Sequence, residues 1–104
     1  MIVVTSSVIE GGRIVKTLGM VKGSTIRARH LGRDISAGLR SLIGGEIKEY
    51  TKLMAEAREE AIQRMVEQAE EMKANAIVDT RFVTSMVISG ASELLVYGTA
   101  VVVK

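Results

Sequence analysis

The chain has 104 residues, 47% of them hydrophobic and 25% charged, which is the balance of a globular protein. This length predicts one domain spanning residues 1–104. It contains no apolar run long enough for a membrane-spanning helix, and its first residues do not resemble a signal peptide, so we expect a cytoplasmic protein with no membrane partner. Cysteine is absent and His30 is the only histidine. Disulfides, thiolate catalysis and a multi-histidine metal site within one chain are therefore excluded.

The formal charge is only +2, but residues 1–45 carry seven of the fourteen basic residues and two acids. Strand-like alternation places Thr25, Arg27 and Arg29 on one face, and together with Arg33 these arginines could meet phosphates. Ordinary solvated or interface charges are the favoured interpretation, because the net charge is small. A nucleic-acid partner is disfavoured, since bases stack on aromatic side chains and the chain has only three of them.

The N-terminal third is predicted to be extended. Residues Ile2–Ser7 form the first predicted strand, and Gly11-Gly12 predicts a turn. A longer extended region follows from residue 13 to residue 30. Gly19 and Gly23 within it predict bulges or bends.

Two helices are predicted next. The first covers Ile35–Ile43, with Asp34 at its N-terminus and Gly44-Gly45 at its end. The second runs from about Glu46 to Lys73. Its apolar residues recur every three or four positions and include three small alanines, so another element is expected to approach the helix closely. The stripe comprises Ile47, Tyr50, Leu53, Met54, Ala57, Ala61, Met65, Ala69 and Met72. On the other face, Glu60 and Arg64 are predicted to pair.

The C-terminal third predicts a β-hairpin. Its first strand covers Val78–Ile88, with Val78 and the even-numbered residues after it on one face and Asp79, Arg81 and Ser85 on the other. A turn at residues 89–92 leads to a final strand over Leu94–Val103, whose last residues are apolar on both faces. The predicted fold is α+β: an antiparallel sheet packed with one short and one long helix.

The long helix also predicts assembly. A helix of about 27 residues measures about 40 Å, whereas a compact chain of this length has a radius of gyration of about 13 Å. One such helix on a small sheet leaves apolar surface uncovered. We therefore expect an obligate homo-oligomer, with a small ligand or a partner held between subunits.

The densest group of candidate functional residues surrounds the first helix. Arg33, Asp34, Arg40 and Glu46 could converge on a polar site beside a helix N-terminus, which favours anions. The alternative, which we favour, is a set of ion pairs that includes links between subunits. The chain offers no evident catalytic nucleophile or base, so an enzyme is disfavoured. His30 is more typical of a packing or surface residue than of a metal ligand.

Several segments in the same order along the chain resemble the YbjQ family, which is functionally uncharacterised and often labelled "putative heavy-metal-binding domain". They are Arg33-Asp34-Ile35, Ile43-Gly44-Gly45-Glu46-Ile47, Tyr50-Thr51, Glu56-Ala57-Arg58, Ala61, Ala74-Asn75-Ala76, Glu93 and Tyr97-Gly98-Thr99-Ala100-Val101. The resemblance implies a small α+β subunit similar to the dodecin class, assembled as a ring of five or as a pair of such rings. It also implies glycine in many relatives where this chain has Lys73, a difference expected to lengthen the second helix slightly.

Two functions follow as expectations. The first is a cytoplasmic homo-oligomer, pentameric or decameric, with a binding or structural role. The alternative is a heavy-metal-binding protein whose site is built by symmetry, with one His30 from each subunit. No cofactor is identified by the sequence.

Overall fold

The structure is a computed structural model that describes residues 1–28, 45–88 and 90–104. Its elements are β1 (Ile2–Val3), β2 (Ile14–Ala28), α1 (Gly45–Glu71), β3 (Ala76–Ile88) and β4 (Ala91–Val103). Within the described residues the protein is a small α+β domain with one helix and one mixed four-stranded sheet, so the predicted fold class is confirmed. The predicted helix Ile35–Ile43 lies outside the described residues.

The sheet has the strand order β1-β3-β4-β2. β4 pairs antiparallel with β3, which confirms the predicted hairpin, and antiparallel with β2 on its other side. The expectation of a wholly antiparallel sheet is wrong at β1, which pairs parallel with β3 through Ile2 opposite Ala76 and Val3 opposite Ile77. β1 is also shorter than the predicted strand Ile2–Ser7, because β3 bulges where the chain continues beyond Val3.

This bulge is centred on Asp79, whose φ of +54° lies in the left-handed region. Val78 pairs with Thr99 and Arg81 pairs with Tyr97, so β3 has one more residue than β4 in this interval. Val78 and Arg81 therefore share a face, and the predicted assignment of them to opposite faces is wrong. An alternating sequence does not indicate where a single extra residue shifts the register.

Helix α1 packs on one face of the sheet, mainly over β2 and β4. The stripe alanines Ala57, Ala61 and Ala69 are fully buried there, and Met65 lies among them. The rest of this core comes from the sheet: Val21, Ile77, Leu94, Val96 and Ala100. The prediction that small residues allow a close approach to the helix is confirmed.

The two glycines of β2 have different roles. A register shift between Thr17 and Gly19, with φ of +131° at Gly19, confirms the bulge predicted there. Gly23, by contrast, lies in regular register opposite Val96, so β2 has no bulge there. Gly23 instead lies against α1, where a Cβ atom would approach the backbone nitrogen of Met65 to 2.7 Å.

Helix α1 ends in a Schellman motif. The N–H of Ala74 donates to the carbonyl oxygen of Ala69 at 3.0 Å, and the N–H of Lys73 donates to that of Glu70 at 3.0 Å. Lys73 takes the left-handed conformation, with φ of +69°. The helix stops at Glu71, so the expectation that Lys73 lengthens it is wrong: the lysine adopts the conformation that glycine favours at this position.

The other face of the sheet is covered at one end by the N-terminal segment. Val78 and Val101 form a small second core with Ala76, against which Val4, Ile9, Ile14 and Val103 pack. The Asn75 amide holds the end of β4 by bonding both the N–H and the carbonyl oxygen of Val103, at 2.7 and 2.8 Å. The C-terminal part of β4 is thus covered on both faces, as its apolar sequence predicts.

Candidate functional site at the junction of β2 and α1

The structure describes only part of the predicted polar cluster. Glu46 is the second residue of α1. Arg33, Asp34 and Arg40 lie outside the described residues, as does His30. Whether Glu46 meets Arg33 therefore stays a prediction.

The described residues bring another charged group together where β2 ends and leads into residues 29–44. Glu60 of α1 accepts hydrogen bonds from two arginines: Arg27 of β2 bonds its Oε2, and Arg64, one helical turn further on, bonds its Oε1 at 2.5 Å. Arg64 also donates to the carbonyl oxygen of Ser24 at 2.5 Å. One carboxylate thus connects the helix to the strand through two guanidinium groups.

Polar contacts continue from this group along the free edge of β2. The N–H of Lys22 donates to Oε1 of Gln68 at 2.7 Å. Deeper in the interface, the buried hydroxyl of Thr25 donates to the carbonyl oxygen of Ala57 at 3.2 Å. Side chains of α1 therefore bond the backbone of β2 where another strand would otherwise pair.

The charged groups of this junction are two arginines and one glutamate. Two guanidinium groups share one carboxylate, which leaves one positive charge uncompensated within the trio. The side chains are 25% exposed for Arg27, 39% for Glu60 and 52% for Arg64. At such exposure each ion pair stabilises the fold by at most about 1 kcal/mol. The trio therefore adds little to the stability of the fold, and its main effect is to hold these charged groups at the junction.

One contact of this junction could be predicted from the sequence. The i, i+4 spacing predicts the Glu60–Arg64 pair, and the structure confirms it. Glu60 is only partly exposed, and it is bonded to β2 as well as to Arg64. The contact with Arg27 spans 33 positions, and no local pattern indicates it.

A second polar group lies where the N-terminal segment crosses the β3 bulge. Ser7 donates its hydroxyl proton to Oδ1 of Asp79 at 2.8 Å, and the Asp79 N–H donates to the carbonyl oxygen of Ser6 at 2.9 Å. Arg81 donates to the carbonyl oxygens of Thr5 and Thr80, at 2.8 and 2.9 Å. These bonds attach the N-terminal segment to the sheet.

Metal-ligating side chains do not gather in the described part of the chain. Across residues 1–28, 45–88 and 90–104, no group of three or more histidine, aspartate or glutamate residues is placed to hold a metal ion. The described helix is not long and apolar enough to cross a membrane.

An uncovered apolar surface lies on the half of β3 beyond the bulge. Every residue from Arg81 to Ile88 is exposed. Met86 is 76% exposed and Phe82 is 45% exposed. Phe82 pairs with Val96 of β4, which is buried under α1, so Phe82 points to the side of the sheet that carries the helix. Met86 pairs with Ser92, four positions before Val96 and therefore on the same face. The helix lies over β2 and β4 and leaves both side chains uncovered.

Comparison with known proteins gives consistent matches over the whole chain. Residues 1–104 match the model of the YbjQ family, described as "Putative heavy-metal-binding". A UPF0145 protein of Methanosarcina acetivorans is 61% identical over 101 residues, which are 97% of this chain and 95% of that protein. One from Dehalococcoides mccartyi is 56% identical over the full length of both chains, and one from Pyrococcus furiosus is 54% identical over 99% of this chain and 90% of its own.

The fold also matches a solved structure. A protein of unknown function from Pediococcus pentosaceus, assigned to the DUF74 family, superposes with a TM-score of 0.68 over 100% of this chain and 98% of its own. The two sequences are 16% identical, so the likeness concerns the fold alone.

Proposed function

The chain belongs to the YbjQ family, and from this premise we propose that it works as a cytoplasmic homo-oligomer with a binding or structural role. The assembly is a ring of five subunits, dodecin-like in architecture, or a pair of such rings. A small ligand or a partner is held between subunits. The polar cluster contributes either to the interface between subunits, called the seam below, or to the ligand site. It consists of Arg33, Asp34, Arg40 and Glu46.

The observation that supports this proposal is the open surface of the single chain. It exposes 6839 Å², whereas a compact protein of 11.2 kDa exposes about 5,700 Å². Its radius of gyration is 17.2 Å, against about 13 Å for a compact domain of this length. The excess of about 1,100 Å² is comparable to the area of about 800 Å² that each partner buries in a standard interface. Further copies of the chain would cover this area.

Light scattering coupled to gel filtration tests the assembly. At micromolar concentration we expect a mass close to five or ten times the 11.2 kDa of the single chain. A monomer at this concentration would contradict the proposal. Native mass spectrometry of the same sample then shows whether a small molecule is retained by the assembled form, and cell fractionation tests the location.

Heavy-metal binding is the second candidate, and the description of the family model favours it. Residues 1–28, 45–88 and 90–104 hold no metal-ligand cluster. In this candidate the site is built by symmetry, with one His30 from each subunit. Elemental analysis of protein purified without a histidine tag, followed by titration with zinc, copper and nickel, tests this. Stoichiometric uptake that is lost in His30→Ala supports the candidate, and no His30-dependent uptake rejects it.

A further inference from the structure

The outer edge of β3 is paired along the first half of the strand and free along the second half. Its first residues are bordered by β1, and the N–H groups of Asp79 and Thr80 donate to the carbonyl oxygens of Ser6 and Val4. From Arg81 to Ile88, no strand of the described residues lies on this side of β3. Eight residues of strand therefore present an unpaired edge, which is a template for another strand.

The composition of this edge is unusual for one that stays in water. Residues 82–88 read Phe-Val-Thr-Ser-Met-Val-Ile, with neither a charge nor a proline. Native proteins protect solvent-exposed edges with charged residues, proline or a covering element, and an uncharged β-prone segment of this length otherwise aggregates. The absence of protection indicates that the edge is paired in the assembled protein.

The opposite edge of the sheet differs. β2 carries Lys16 and Lys22, and the α1 side chains of Gln68 and Arg64 bond its backbone at Lys22 and Ser24. These are the protective features that the β3 edge lacks. The two edges are therefore unequal, and β3 is the one open to a partner strand.

We infer that the Arg81–Ile88 edge pairs antiparallel with the same edge of a second copy of this chain, in a register centred on Thr84. A two-fold axis perpendicular to the sheet makes the two strands antiparallel and keeps both helices on one side of a continuous sheet. In this register Phe82 lies opposite Met86 of the second copy, and Val83 lies opposite Ser85.

This register matches the exposed side chains. Phe82 and Met86 are both uncovered on the helix side, and each finds the other across the axis, twice in one interface. Directly opposed side chains in antiparallel strands lie in contact, and methionine sulfur packs favourably against an aromatic ring. The same edge thus supplies both halves of the interface, so a second copy fits it without any further protein.

The inference rests on the proposed assembly and identifies one of its contacts. A two-fold contact alone makes a dimer, and between two rings of five it makes a decamer.

Cysteine cross-linking tests the pairing cleanly, because the chain has no cysteine of its own. In the inferred register the two Thr84 side chains face each other at the axis, within disulfide range. Thr84→Cys is therefore expected to give covalent dimers under mild oxidation while the wild-type assembly mass is kept. The matched control is Thr17→Cys, an exposed threonine on β2, which is expected to stay uncross-linked.

A charge placed on the edge gives a second, independent readout. Met86→Lys should shift the assembly to a smaller species by light scattering while circular dichroism shows an intact fold, because Met86 is 76% exposed in the single chain. Met20→Lys, at a methionine that is 68% exposed on β2, should leave the assembly mass unchanged.

The outcomes separate the two proposals. An oligomeric wild-type protein whose Thr84→Cys variant forms no covalent dimer, or whose Met86→Lys variant assembles normally, overturns the inferred edge pairing and leaves the proposed assembly standing. A monomeric wild-type protein overturns both.

Discussion

Gly23 of β2 lies directly against the backbone of Ala61 in α1, so closely that a side-chain carbon on the glycine would overlap the alanine carbonyl oxygen. The alanine stripe of the helix makes this approach possible from one side, and the glycine makes it possible from the other. Helix and strand thus meet backbone to backbone at the centre of the core, where Ala61 and Met65 are fully buried.

The first prediction concerns this contact. Gly23→Ala should lower the free energy of unfolding by about 1–3 kcal/mol or more, because the new methyl group meets backbone atoms that cannot rotate away. Chemical denaturation at a fixed protein concentration measures the effect. Ser24→Ala on the neighbouring residue is the matched control and should change stability by no more than about 0.5 kcal/mol. Equal stability of Gly23→Ala and the wild type would contradict the close approach.

The second prediction concerns the end of α1. Lys73→Gly should raise the free energy of unfolding by about 0.5–1 kcal/mol, because glycine takes the left-handed conformation of this position without steric cost. The same substitution at Lys52, an exposed lysine within α1, should have the opposite sign and cost about 0.5–1 kcal/mol. Thermal or denaturant unfolding of both variants checks the pair. If both substitutions destabilise, the Schellman geometry at Lys73 is wrong.

The third prediction concerns the arginine trio at the junction of β2 and α1. Glu60→Gln should reduce stability by about 1 kcal/mol or less at low ionic strength, since the paired groups are partly exposed. The difference from wild type should shrink as salt is added, because salt screens exposed charges. Glu59→Gln, on an exposed side chain next to it, controls for the loss of one negative charge. A salt-independent difference would argue that Glu60 acts through packing instead.

The fourth prediction concerns the polar cluster around Arg33. If Arg33 and Glu46 form part of the seam between subunits, Glu46→Gln should weaken assembly, and loss of a buried partner would cost about 3–5 kcal/mol. If they form a ligand site, the assembly should survive while the retained ligand is lost. Native mass spectrometry of Glu46→Gln and Arg33→Met measures both quantities, and we expect weaker assembly. Variants with wild-type assembly, stability and ligand content would show that the cluster is neither seam nor site.

Much of the candidate site was beyond prediction from sequence for a physical reason. The Glu60–Arg64 pair follows from helix geometry, because residues four apart lie on the same face. Arg27 reaches Glu60 because β2 packs against α1, although the two residues are 33 positions apart in the sequence. Interactions between distant segments have no local signature in one chain.

By itself, the sequence determined the α+β class, the long helix with its alanine stripe, the hairpin of β3 and β4, and the apolar end of β4. These follow from periodicity, since helices and strands repeat apolar residues at different spacings. Only the tertiary structure decided the parallel pairing of β1, the bulge at Asp79 and the left-handed conformation of Lys73. The parallel pairing joins distant segments, the bulge comes from one extra residue in a ladder, and the conformation of Lys73 depends on the residue at which α1 ends. An alternating pattern predicts which face a residue lies on only while the register is unbroken. The bulge at Asp79 reversed the faces of the residues beyond it, so Phe82 and Met86 lie on the side that carries α1, where the helix does not cover them.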